Sequence, residues 1–278
     1  MNVLEVLQST TAYFQKRELE SPRLNAEHLL AHSLRCKRIE LYLEFERELD
    51  EAELAPLRAL VRRRGQREPL QHLLGTVEFS GRSFLCDRRA LIPRPETEEL
   101  VEQLRARKIA AGGRIVDVGT GSGVIALSLA AAFPGAEVHA VDISSDALAL
   151  ARENAARLGC AERVQFHEGQ LLEPLRGEFD LVVANLPYVP SGDRSTLAPE
   201  VLCDPDVAVF AGPSGDEIIR ELIAAAPARL GRGGLLALEI GVDQADALAL
   251  FLAEKNYHDI APIRDYSGIA RFLFAQYG

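Results

Sequence analysis

An α/β fold is what this chain predicts: a mostly parallel open sheet with helices on both faces, preceded by a small helical bundle. Three observations carry that expectation. From Arg114 onward, short apolar runs alternate with helical stretches. Two of those runs end abruptly, one in Gly119-Thr120-Gly121-Ser122-Gly123 and the other in Asn185-Leu186-Pro187-Tyr188. Before about residue 70 the apolar periodicity is helical, with no strand-like run. Open α/β sheets bind ligands at the carboxyl ends of their strands, so the two turns describe one crevice.

Composition narrows the class. A chain of 278 residues allows one large domain or two ordinary ones. With 47% hydrophobic and 26% charged residues it reads as globular and soluble. A formal charge of -10 argues against a surface built to neutralise a nucleic-acid backbone. Arg62, Arg63, Arg64 and Arg67 form a local basic cluster, read here as a solvated helix face. Cys36, Cys86, Cys160 and Cys203 are widely spaced without a C-x-x-C pair. That pattern predicts thiols in a reducing compartment rather than a disulfide frame or zinc site, and no metal is expected. With no signal-like leader and no apolar run of membrane-spanning length, the expected location is the cytoplasm, away from membranes.

Taken in order, Val3, Leu4, Val6 and Leu7 form one helical face, joined later by Tyr13 and Phe14. Ser21-Pro22 predicts an N-cap with proline at the first helical position, ahead of Leu24, Leu29, Leu30 and Leu34. Leu54, Leu57, Leu60 and Val61 repeat the pattern after Asp50. Residues 1–70 are therefore expected to form a helical domain of their own. Residues 71–95 differ. Val77-Glu78-Phe79 and Ser83-Phe84-Leu85 flank Ser80-Gly81-Arg82, which predicts a hairpin. Pro93 and Pro95 then enforce an extended link, and Pro95 can open the helix that starts near Glu96.

Residues 96–278 are expected to form the second domain. The predicted strands are Arg114–Val118, Glu137–Val141, Val164–Glu168, Phe179–Ala184 and Leu235–Ile240. The predicted helices are Ser122–Ala132, Ser145–Leu158, Asp216–Leu230 and Asp243–Glu254. Such alternation implies βαβ units and a parallel sheet covered on both faces. Asp259–Arg264 and Arg271–Phe274, separated by Ser267-Gly268, suit an antiparallel pair at the sheet edge.

The glycine turn lets a ligand approach the backbone closely. Dinucleotide-binding folds use a similar turn, but here the glycines alternate and Asp117 precedes them, which favours S-adenosylmethionine. Asp142 ends the next strand about twenty residues on, where a carboxylate can accept hydrogen bonds from ribose hydroxyls. Ser144 and Ser145 already offer caps for the following helix, so Asp142 is free for that role. Asp117 either orients the glycine turn or meets the methionine amino group. Gln170 stands where many methyltransferases carry an acid that accepts from the adenine amino group. It either does so through its amide oxygen or is an exposed loop residue. Leu171 can pack on the adenine face, and His167, on a strand, reads as structural. Thr120, Ser122, Asn185 and the glycines Gly119, Gly121 and Gly123 complete the expected cofactor set.

The second turn carries the transfer chemistry. An amide nitrogen is a poor nucleophile because its lone pair is delocalised into the carbonyl. Accepting hydrogen bonds from both amide protons pushes density onto nitrogen and fixes the line of attack. Asn185 supplies one carbonyl and the backbone of Leu186 another, Pro187 fixes the turn, and Tyr188 offers a flat face. Positioning and electrostatics suffice for transfer from an activated methyl, so no charged general base is required.

At these residues the chain resembles the release factor glutamine methyltransferase family over almost its full length. The resemblance rests on Glu68-Pro69-Leu70-Gln71-His72-Leu73-Leu74-Gly75, on Leu91-Ile92-Pro93-Arg94-Pro95-Glu96-Thr97-Glu98, and on the two turns. Leu238-Glu239-Ile240-Gly241 and Asp265-Tyr266-Ser267-Gly268-Ile269-Ala270-Arg271 extend it. It implies a Rossmann-like, seven-stranded, mostly parallel methyltransferase sheet and S-adenosylmethionine as cofactor. It also implies a substrate-recruiting helical domain and, as acceptor, the glutamine of the Gly-Gly-Gln loop in class 1 peptide release factors. A monomer with no direct nucleic-acid partner is expected. Two positions depart from the family pattern: Leu186 replaces a proline, and Gln170 replaces an acid. Asn-Leu-Pro-Tyr also occurs in ribosomal RNA adenine dimethyltransferases. The rival expectations are therefore glutamine methylation of a ribosomal protein, adenine methylation of nucleic acid, and a non-catalytic sensor of the cofactor.

Overall fold

The computed structural model describes residues 1–107 and 112–278, which form two compact units, Met1–Thr76 and Val77–Gly278. The segment 71–95 is divided between them, residues 71–76 falling in the first and 77–95 in the second.

The first unit is helical: α1 (Val3–Gln15), α2 (Pro22–Leu34), α3 (Arg38–Leu41), α4 (Glu51–Gly65) and α5 (Leu70–Leu74). Two of these start with reciprocal caps, Asn2 with Glu5 and Asp50 with Glu53, each pair satisfying two otherwise unpaired backbone donors. Val3, Leu7, Phe14, Leu29, Leu30, Leu54 and Leu57 form its core, while Leu24 faces outward. Two expectations need correction. Pro22 does open α2, but Ser21 sits in the left-handed region (φ 47) and its side chain caps nothing. The Asn25 side chain donates to the carbonyls of Glu20 and Ser21 beside that end, which ties the incoming chain to α2 without replacing the cap. The basic cluster is not uniformly solvated either: Arg64 is buried and donates to Asn25 at 2.7 Å.

A hairpin begins at the boundary, β1 (Thr76–Phe79) and β2 (Arg82–Leu85), joined by Ser80 and Gly81 at φ 48 and 71, and all of it but Thr76 belongs to the second unit. Positive φ at both central residues is the tight turn that suits strand twist. Helix α6 (Pro95–Arg105) follows, with Pro95 at its first position. The remaining elements are β3 (Arg114–Val118), α7 (Val124–Ala132), β4 (Glu137–Asp142), α8 (Ser145–Arg157), β5 (Val164–Glu168) and β6 (Phe179–Asn185). After them come α9 (Asp206–Val209), α10 (Glu217–Ala225), β7 (Leu230–Glu239), α11 (Ala245–Glu254), β8 (Tyr257–Arg264) and β9 (Ala270–Tyr277). The expected helix to Leu230 stops early. Pro227 confines the chain to one tight turn after α10, and Leu230 already belongs to a strand. Likewise α7 starts at Val124 rather than Ser122, because Gly121 and Gly123 hold positive φ.

The large sheet has seven strands in the order β5-β4-β3-β6-β7-β9-β8, with β9 antiparallel to both of its neighbours. Alternate residues of each central strand feed different cores. Val116, Val182 and Leu236 pack with α10 and α11, whereas Ile115, Leu181 and Ala237 pack with α6 and α7. The chain runs from β3 outward through β4 and β5, then returns to place β6 on the other side of β3. That reversal opens a crevice between the carboxyl ends of β3 and β6. The glycine turn leaves one of these ends and Asn185 stands at the other.

Candidate active site

The glycine turn is held from two sides. The amides of Gly119 and Thr120 donate to the Val141 carbonyl at 2.8 and 2.9 Å, tying the turn to the end of β4. Asp117 accepts from the Thr120 hydroxyl at 2.6 Å and from the Ala126 amide at 3.1 Å. It is fully buried, and burial pushes its carboxyl up to about 7. Its Oδ1 has no hydrogen-bond partner among the described residues. Those two bonds tie Asp117 to the glycine turn and to the first turn of α7. Asn154 of α8 adds a staple by donating to the carbonyls of Ser122 and Leu85.

Asp142 accepts from the Gly121 amide at 2.8 Å and from the Ser144 amide at 2.9 Å, one bond per oxygen. Each carboxylate oxygen keeps a second acceptor direction. Burial raises its pKa, opposed by those backbone donors. The Ser144 hydroxyl caps α8 through the Ala147 amide, so Asp142 does not serve as the helix cap.

These groups surround a cavity of about 230 Å³. Of the residues singled out from sequence, Gly119, Gly121, Asp142, Gln170, Leu171, Asn185, Leu186 and Pro187 line it. Asp117, Thr120, Ser122, Gly123 and Tyr188 do not: the first three have buried side chains directed into the fold, and Gly123 backs onto Ala151. His167 lies on β5, its ring stacked on that of His139, 5.1 Å between centroids, away from the cavity. Gln170 is exposed and donates to Glu221 of α10 at 3.3 Å, which leaves its amide oxygen available as an acceptor. Leu171 holds φ 47, an uncommon backbone for a leucine, and so turns the chain at the cavity wall.

At the other edge Asn185 donates from Nδ2 to the Thr97 hydroxyl at 2.9 Å, and Thr97 donates to Glu239 at 2.7 Å. Glu239 lies beside Asn185 in the register of β6 and β7. It is 1% exposed, and burial pushes its carboxyl up to about 7. The half-buried Tyr188 is pushed up to about 12, chiefly by burial and then by the nearby Glu239 charge, so its phenol stays neutral. Gln244 pins the turn behind it, donating to the carbonyls of Tyr188 and Gly215. Leu186 is packed rather than loose: a Cβ on Gly119 would stand 2.9 Å from its Cδ2. The leucine that replaces proline thus packs against a position of the turn where a side chain would collide with it.

Sequence reasoning missed Thr97, Glu239, Glu221 and Asn154. The first two sit inside motifs carrying the resemblance, but nothing in their spacing indicated a partner. Asn154 had no signal beyond being a polar residue on an amphipathic helix.

Comparison with known proteins fits this geometry. Residues 5–75 match the model described as the PrmC N-terminal domain, and residues 95–206 match the methyltransferase small domain. The release factor glutamine methyltransferase of Deinococcus radiodurans is 42% identical, covering 99% of this chain and 99% of its own length. That of Chlorobaculum tepidum is 41% identical, covering 98% of this chain and 96% of its own. The chain belongs to the release factor glutamine methyltransferase family. As a methyltransferase of that family it uses S-adenosylmethionine. The sheet also superposes on a ribosomal protein L11 methylase from Lactobacillus delbrueckii subsp. bulgaricus. There the TM-score is 0.50 and the identity 26%, over 68% of this chain and 81% of that one. A T. thermophilus 16S rRNA N2 G1207 methyltransferase, solved with AdoMet and guanosine, shares the fold at TM-score 0.54 and 21% identity, over 73% of this chain and 50% of its own. No helix among the described residues is long and apolar enough to cross a membrane.

Proposed function

We propose that this family member methylates the side-chain amide nitrogen of the glutamine in the Gly-Gly-Gln loop of class 1 peptide release factors. The observation that carries this reading is the Asn185 amide. It stands on the wall of the same cavity as Asp142, with its NH2 group already engaged by Thr97. Its oxygen is thereby left to accept from a planar N–H donor.

The cavity suits S-adenosylmethionine by the chemistry of its lining. Asp142 offers acceptor oxygens for the ribose hydroxyls, Ile143, Leu171 and Val207 offer apolar surface, and Gly119 and Gly121 expose backbone. Gln170, with its NH2 group on Glu221, offers an amide oxygen to the adenine amino group. When bound, the cofactor supplies a methyl group already activated on a sulfonium. Asn185 Oδ1 and the Leu186 carbonyl accept from the two protons of the acceptor amide, enriching its nitrogen and fixing its direction. Pro187 holds that turn rigid, and Tyr188 gives the acceptor a flat neutral face. The helical unit, with its own core, serves as the recruiting surface for a protein acceptor.

Tritiated S-adenosylmethionine, offered with release factor, ribosomal proteins and RNA in parallel, tests this reading. Label is expected in the release factor and is lost when its loop glutamine is replaced. Label confined to RNA or to a ribosomal protein would overturn it in favour of that acceptor.

A further inference from the structure

Asparagine is nearly symmetric in shape, and turning its amide over exchanges an acceptor for a donor. At the lip of this cavity the exchange would be ruinous, because an NH2 group would then confront the N–H groups of the acceptor. Something must decide which end faces out. The deciding group is the Thr97 hydroxyl, which is buried at 2% exposure in the first turn of α6. It has one proton to give. An ionised carboxylate can only accept, so that proton goes to Glu239 Oε2 at 2.7 Å. The Thr97 oxygen can then only accept, and the group that meets it at 2.9 Å must be the Asn185 NH2. With the amide turned over, two oxygens would meet at that distance with no proton between them.

We propose that Glu239 and Thr97 are a positioning pair that fixes the Asn185 amide, NH2 inward and oxygen toward the acceptor. The proposal deepens the functional reading above and rests on it only in requiring an acceptor that donates N–H. Neither residue touches the reacting atoms. Glu239 keeps a second oxygen buried without a partner among the described residues, an arrangement that packing alone would not favour.

The pair also has a polarity that protons reverse. A protonated Glu239 can donate to Thr97, whose hydroxyl is then free to donate outward and stabilise the wrong amide orientation. Several groups face this carboxyl. Burial raises its pKa most, the Thr97 hydroxyl lowers it, Glu96 raises it, and Arg271 and the Tyr188 phenol lower it. The phenol acts without a hydrogen bond of ordinary geometry to the partnerless Oε1. The net position is about 7, so turnover should rise as pH increases through neutrality.

The test uses the full chain with Thr97→Val, Thr97→Ser and Glu239→Gln. Steady-state kcat is measured from pH 6 to 9, with cofactor affinity by calorimetry. Thr97→Val and Glu239→Gln should lower kcat by up to roughly 100-fold, the scale of a misoriented catalytic group. Cofactor affinity should stay within about threefold, since Thr97 and Glu239 lie outside the cavity lining. Thr97→Ser, which keeps the hydroxyl, should restore most of kcat. The acid limb near pH 7 should be absent from Glu239→Gln. An adenine amino group is also an N–H donor, so kcat is measured on whichever acceptor the wild type labels. A wrong acceptor then sinks only the functional reading. Full turnover in Thr97→Val, or an unchanged acid limb in Glu239→Gln, overturns the positioning pair. If Glu239→Gln does not fold, the contrast between Thr97→Val and Thr97→Ser decides alone.

Discussion

The two strand ends that frame the cavity are built by opposite means. At the end of β3 the backbone does the work: three glycines take positive φ, and the turn is tied to β4 through backbone donors and Asp142, and to β3 itself through Asp117. At the end of β6 a single side chain does it, and its orientation depends on Thr97, 88 residues earlier in the chain, and on Glu239 in the next strand of the sheet. A site that must clasp a ligand tolerates a backbone solution, because close approach is what glycine provides. A site that must tell donor from acceptor needs side chains of defined polarity. The first kind of construction should fail through stability and affinity, and the second through turnover.

The largest effect is therefore expected at Asn185. Asn185→Ala removes the accepting oxygen and should lower kcat by roughly 100- to 1,000-fold, the scale of deleting one preorganised polar group. Cofactor affinity should stay within a few-fold. Single-turnover labelling with calorimetry checks this. If turnover survives, the amide clamp is wrong and the two ends do not differ as described.

Asp142 tests the opposite end. Asp142→Ala should weaken S-adenosylmethionine binding by about 1–3 kcal/mol, because ribose hydroxyls lose their acceptor and the Gly121 and Ser144 amides lose theirs. With saturating cofactor, kcat should recover substantially. Unchanged affinity by calorimetry would remove Asp142 from the cofactor site.

Gly119 asks whether the turn fails through stability. At φ 73 a side chain is strained, and its Cβ would stand 2.9 Å from Leu186 Cδ2. Gly119→Ala should cost about 1–3 kcal/mol of folding stability. Chemical denaturation of this variant alone and combined with Leu186→Ala separates the two causes. Relief in the double variant would assign the cost to the contact, and its absence would assign it to the backbone.

The same contrast explains what could be read from the chain. The glycine turn, Asp142, the hairpin at Ser80-Gly81 and the alternating strands are local patterns, in which residues a few positions apart dictate one another. Local patterns failed where a nearby competitor prevailed. Ser21 looked like a cap, but its left-handed backbone leaves its side chain accepting from no first-turn amide, and Leu230 continued a helical period that Pro227 interrupts. Arg64 read as part of a solvated face until its partner, 39 residues away, was in view. Thr97 and Glu239 were inside quoted motifs, yet a hydrogen-bond direction shared by three elements has no spacing to reveal it.

The smallest effect concerns pH, and it compares the two ends directly because each holds one buried carboxyl raised to about 7: Asp117 under the glycine turn and Glu239 behind Asn185. Their ordinary values are 3.8 and 4.5, so between those values and neutrality the folded state holds protons that the unfolded chain would release. The stability they contribute is fully present below the unfolded pKa and is lost as pH rises through about 7. Each group can contribute a fall of about 1 kcal/mol per pH unit near pH 6, which for a chain of this size is roughly 2–4 °C in Tm. Other carboxylates titrate as well, so the informative quantity is a difference between variants. Glu239→Gln mimics the protonated acid at every pH and should gain stability relative to wild type as pH rises from 5 to 8. Asp117→Asn should behave alike, but with lower absolute stability, because an amide accepts less well from Thr120 and Ala126. Parallel Tm profiles for wild type and Glu239→Gln would mean that Glu239 is ionised throughout that range. The acid limb of turnover would then need another group.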